Sequence, residues 1–121
     1  MKDNNTYYLR TMTAMLSSKW TLQVLYVLRD DTKRYSEINH ILSDMTQKML
    51  TNTVHKLERD GFIARTVYPT VPPKVEYQLT ELGESLLSAI TLLLDWTKVH
   101  VHDMHTAQKT YDTRKIAELV F

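Results

Sequence analysis

Apolar positions recur at helical spacing along most of this chain, and the exceptions are confined to one stretch after residue 61. Tyr8, Met12, Met15 and Leu16 fall at helical intervals and predict a first helix over residues 5–16. Ser17 and Ser18 interrupt it and can cap a second helix from Lys19 to about Arg29, with Trp20, Val24, Leu25 and Leu28 inward. Asp30-Asp31-Thr32 reads as a turn. Ser36 then caps a short helix whose buried side is Ile38, Ile41 and Leu42.

The next helix, about residues 46–60, is the best specified. Thr46 is a good N-cap, and Met45 can staple onto Leu50. Leu50, Val54 and Leu57 form an i, i+4, i+7 stripe, and Gly61 stands where a left-handed C-terminal cap belongs. At ~100° per residue the opposite face carries Lys48, Thr51, Asn52, His55 and Arg59: donors and acceptors with two cations and no acid. Such a face is also what the solvated side of any surface helix looks like.

After Gly61 the period changes to two. Phe62–Tyr68 and Lys74–Leu79 are β-rich runs around Pro-Thr-Val-Pro-Pro, and Val75, Tyr77 and Leu79 alternate with Lys74, Glu76 and Gln78. Pro72 and Pro73 cannot sit inside a ladder, so they belong at the tip or edge. Thr80 caps a long helix from Glu81 to about Val101, apolar on several sides and so in need of cover on several sides. A second copy of the chain is the natural cover, and the tail Asp112–Phe121 adds Ile116, Leu119, Val120 and Phe121 to the same contact. The fold class is therefore mainly α with a small β-hairpin: a winged helix-turn-helix in one domain spanning 1–121. Its recognition helix is about 46–60, its wing about 62–79, and its dimerisation helices lie at about 5–16 and 80–121.

Charge sharpens this only slightly. The net charge is +1. Residues 33–76 hold seven Lys/Arg against five acids, net +2, and residues 77–121 hold four against six, net −2. Cysteine is absent, which removes disulfides, thiolate zinc sites and thiol switches. MKDNNTYYLR carries no signal-peptide pattern, and the longest apolar run, Leu86–Leu94, is well short of the ~20 residues of a membrane span. A cytoplasmic protein without membrane contact is expected.

The strings SSKWTLQVL, KRYSEI and KMLTNTVHKLERDGFIARTVYPTVPPKVEYQLTELG, with Trp96 beyond them, resemble the HxlR-type branch of the MarR-like winged-helix regulators over residues 7–98. The run from Leu57 to Gly83 is the most specific part. The resemblance implies a homodimeric bacterial transcription factor on double-stranded DNA with a palindromic operator. It places Gln47, Lys48, Thr51, Asn52 and His55 toward the major groove, with Lys74 in the wing and Arg65 at its base on the backbone. Asn52 and Gln47 suit bidentate contacts to adenine, Lys48 guanine or phosphate, and Thr51 a thymine methyl or phosphate oxygen. Two departures stand out. Ser17 and Ser18 replace the two glycines usual before Lys-Trp, and Tyr7 occupies the place of a frequent sensor cysteine.

Other chemistry is weaker. His102 and His105 are i, i+3 and could share a metal with Asp103, near His100, although a polar helix end, where partly protonated His suits the dipole, is the more ordinary account. Met12, Met15, Trp20, Met45 and Met49 could line a pocket for a small-molecule effector, or fill the core. No nucleophile motif, carboxylate pair or phosphate-cradling glycine loop accompanies His55, so no enzyme and no cofactor are expected. The alternatives to DNA reading are a winged-helix protein-interaction module and a metal- or ligand-responsive regulator.

Overall fold

A computed structural model describes residues 4–120. Phe121, part of the expected tail, and the first three residues lie outside that range. The elements run α1 (Asn4–Met15), α2 (Thr21–Val27), β1 (Lys33–Arg34), α3 (Tyr35–Ile41), α4 (Gln47–Arg59), β2 (Ile63–Tyr68), β3 (Lys74–Leu79) and α5 (Glu81–Val120). Residues up to Ser88 form one compact unit, and those from Ala89 onward a second.

The core of the first unit is built from Trp20, Val24, Leu25 and Leu28, from Ile38, Leu42 and Met45, from Leu50, Val54 and Leu57 of α4, and from Phe62, Ile63 and Tyr77 at the base of the hairpin. α4 packs on α2 and on β2, with its apolar stripe buried in this unit. Burying a Leu or Val side chain in this way contributes ~1.5–3 kcal/mol each. The stripe thus outweighs any single polar contact on the opposite face.

Four details depart from the sequence expectations. α3 is capped by Arg34, not Ser36, which lies one position inside the helix. Glu37 does the capping by accepting the Arg34 backbone N–H at 2.9 Å. Ile41 is 52% exposed, because α3 ends there and Leu42 turns inward in its place. Residues 33–34 form a third strand, giving the order β1-β3-β2 with Lys33 opposite Tyr77 and Arg34 opposite Glu76. α2 is also shorter than expected: Ser18 Oγ accepts the Trp20 N–H at 3.2 Å, and the helix proper begins at Thr21.

In the second unit α5 continues to Val120, where the sequence suggested a helix to about Val101 and a separate tail segment. Nothing after Gly83 is Gly or Pro, so no residue forces the helix to stop. Leu92, Leu93, Trp96, Val99, Ile116, Leu119 and Val120 are exposed along it. α1, within the first unit, buries no residue at all and exposes Tyr7, Tyr8, Leu9 and Met12.

Candidate nucleic-acid interface

α4 is fixed at both ends. Thr46 Oγ1 accepts the Met49 N–H at 3.1 Å, the side-chain cap that leaves fewer orphan donors at the N-terminus. At the other end the Phe62 N–H reaches Leu57 O at 2.9 Å and the Gly61 N–H reaches Glu58 O at 3.0 Å. That double bond pattern needs a left-handed residue at the turn, and Gly61 supplies it with φ of 83°. Lys56, in the last turn, donates to Ala14 O at 2.7 Å and Met15 O at 3.3 Å, closing the carbonyl end of α1.

With its apolar side in the core, α4 turns its polar face outward. Gln47, Lys48, Asn52 and His55 are exposed and Thr51 is half-buried. The side chains of Gln47, Lys48, Asn52 and His55 have no hydrogen bond or ion pair among the described residues. Thr51 differs: its Oγ1 lies 3.0 Å from the phenol of Tyr35, which also donates to Gln47 O at 2.9 Å. Sequence reasoning missed Tyr35, since the contact spans 16 residues and no periodicity marks it. Met49, 43% exposed, is the apolar member of this surface.

The wing is a regular antiparallel ladder from Ile63 opposite Leu79 to Tyr68 opposite Lys74, with Val71 fully exposed at the tip. The Val71–Pro72 peptide is cis. Arg65, opposite Tyr77, is exposed. Lys74 is already occupied. Its Nζ lies 2.8 Å from Glu76 and 5.2 Å from the centre of the Tyr68 ring, while the Tyr68 hydroxyl donates to Glu76 at 3.2 Å. The hydrogen bond from Lys74 leads, and with the Lys74 charge, the Tyr68 hydroxyl and the charge of Arg34 it holds the Glu76 carboxyl below its ordinary 4.5, against the opposing effect of burial.

The remaining candidates are not gathered into sites. His102 and His105 are exposed on α5, and His100 pairs loosely with Asp103 at 3.9 Å. Among the described residues no three His, Asp or Glu side chains converge as metal ligands. Of the five residues weighed as pocket walls, Met15 alone lines an open cleft of about 450 Å³, together with Thr11, Ala14, Lys56, Asp60 and Phe62. Trp20 and Met45 are core residues, and Met12 and Met49 are exposed. No helix among the described residues is long and apolar enough to cross a membrane.

Two packed helices, α2 and α3, a capped α4 presenting a polar face and a two-stranded wing after it define a winged helix-turn-helix. The profile of HxlR-like helix-turn-helix proteins matches residues 15–105. The chain belongs to that family of transcriptional regulators. It is 43% identical over 95 residues to an HTH-type transcriptional regulator of Methanothermobacter thermautotrophicus, covering 78% of this chain and 72% of that one. It is 46% identical over 82 residues to the HTH-type regulator YkvN of Bacillus subtilis, covering 68% and 70%. The solved structure of the redox regulator HypR in its reduced form superimposes with a TM-score of 0.77 at 34% identity, covering 81% of this chain and 97% of that one.

Proposed function

We propose that the chain acts in the cytoplasm as a homodimer that reads a two-fold symmetric DNA site, with α4 in the major groove and the wing on the backbone. The observation that carries this is the polar face of α4. Gln47, Lys48, Asn52 and His55 stand exposed without internal partners, and no acid interrupts them. Asn and Gln match the donor–acceptor pair of adenine, and Lys reaches guanine or phosphate. Arg65 and Lys74 serve the backbone, where contacts set register more than sequence. The exposed apolar side chains of α1 and of α5 suit a self-association surface, for which a solvent-exposed monomer has no use. A protein-interaction module fits less well, because Met49 is the sole large apolar residue exposed on α4.

Enrichment of duplexes from a randomised library, followed by gel shift on the enriched sequence, tests the reading. Asn52→Ala and Lys48→Ala should each weaken binding, Asn52→Ala by ~1–3 kcal/mol with relaxed preference at one base pair. Both variants should keep the wild-type mass by light scattering. Unchanged affinity in both would remove α4 as the reading element. The HypR neighbour is called a redox regulator, but a thiol switch has no chemical basis in this sequence, which holds no cysteine.

A further inference from the structure

The Tyr35 phenol lies between two oxygens of α4. Gln47 O is 2.9 Å away and Thr51 Oγ1 is 3.0 Å away. A phenol has one hydrogen, and a backbone carbonyl can only accept. The bond to Gln47 O therefore uses the Tyr35 hydrogen. The second contact is then a hydrogen bond only if Thr51 donates to the phenol oxygen. Proton polarity along Thr51, Tyr35 and Gln47 O is fixed by this count alone.

The consequence falls on Thr51, which stands half-buried on the proposed reading face. With its hydrogen committed, its hydroxyl can only accept, and the side chain's methyl group is its other feature. Phosphate oxygens only accept, so Thr51 cannot serve them as a donor. In the major groove the donors are adenine N6 and cytosine N4, the thymine methyl suits the Thr51 methyl, and guanine presents only the acceptors N7 and O6. We propose that Tyr35 is a positioning residue that sets Thr51 as an acceptor-only reader, so that the base facing Thr51 in each half-site is selected against guanine. This rests on the reading of α4 as the DNA-contacting helix. It adds Tyr35, which lies on α3, as a determinant of specificity, and it replaces the phosphate contact considered for Thr51 from sequence.

The test compares wild-type protein, Tyr35→Phe and Thr51→Val by selection from a randomised duplex library, followed by binding to the enriched duplex and to its single-base variants. Wild type should disfavour guanine at one position per half-site. Tyr35→Phe keeps the ring but frees the Thr51 hydrogen, and should reduce discrimination against guanine at that position by about threefold to tenfold, the worth of one hydrogen bond. Other positions should keep their ranking. Thr51→Val removes the acceptor, so preference for adenine and cytosine there should fall while thymine is retained. In the double variant the Tyr35 change should have no further effect.

A Tyr35→Phe profile identical to wild type overturns the inference, because Thr51 polarity would then be set without the phenol. Uniform weakening at every position overturns it too, by reducing Tyr35 to a structural support. Wild-type protein that enriches no duplex overturns the DNA reading itself, and the inference with it. A shared motif with an unmoved guanine penalty overturns only the inference.

Discussion

α4 and the wing hold their charged groups in opposite ways. α4 buries its Leu50, Thr53, Val54 and Leu57, has capped ends, and has an outer face on which the side chains of Gln47, Lys48, Asn52 and His55 have no partner among the described residues. The wing buries Ile63 and Tyr77 at its base, and its cation Lys74 is held by Glu76 and Tyr68. The helix is thus anchored by apolar burial and leaves those polar side chains unpaired. The wing is anchored by its ladder, and under the proposed DNA reading Lys74 would exchange Glu76 for phosphate. An exposed pair of this kind is worth little, so the exchange would be cheap. It would nevertheless make a wing contact conditional where a helix contact is not.

Removing the anchorage of α4 should give the largest effect. Leu57→Ala opens a cavity behind the helix and should cost ~2–5 kcal/mol in denaturant unfolding. A loss under 1 kcal/mol would mean that the stripe does not anchor α4. The floor beneath the helix can be improved instead. Thr21 is fully buried on α2 and its Oγ1 has no hydrogen-bond partner among the described residues. Thr21→Val should stabilise by ~1 kcal/mol, since an orphan hydroxyl is replaced by a methyl of like shape. A destabilised variant would point to a hydrogen-bonding water at that hydroxyl.

The wing should respond more gently. Glu76→Gln leaves Lys74 without its carboxylate. DNA affinity at low salt should rise about twofold to fivefold, and the salt dependence should steepen by up to ~1 in the log–log slope. No change in slope would show that Lys74 never reaches phosphate. The pH dependence has a defined sign. Because Glu76 is held below 4.5 in the fold, its contribution to stability is present above that value and is lost as pH falls through the lowered one. Lys74→Ala should move the Glu76 carboxyl resonance in an NMR titration back toward 4.5. A Glu76 titration unmoved by that change would separate the two side chains in solution.

Much of this was readable along the chain, because the informative signals are local. Thr46, the 50-54-57 stripe and Gly61 act within a few residues, and each does in the structure what its chemistry suggests. Lys48, Asn52 and His55, nominated by face, and Gln47 and Arg65, nominated by the resemblance, lie exposed. What escaped the sequence was non-local or lacked a period. Two residues of β1 are too few to alternate, and the Tyr35–Thr51 contact joins different helices. Lys74 and Glu76 were recognised as sharing one side of β3, but alternation says nothing about which cation is spoken for. Ile41 was assigned inward by spacing, and the end of α3 overrode it.

Gly83 bears on how this protein can vary. A Cβ built there would lie 2.0 Å from Phe62 O, a backbone atom that cannot swing aside. That same carbonyl accepts the Thr80 N–H at 3.1 Å, while Thr80 Oγ1 caps α5 through the Gly83 N–H and also donates to Gly61 O. Every other amino acid carries at least that carbon, so position 83 has no neighbouring sequence to drift into. The exposed faces of α1, α4 and α5 can be rewritten one residue at a time, but the point where the wing and α5 begin is closed to gradual change.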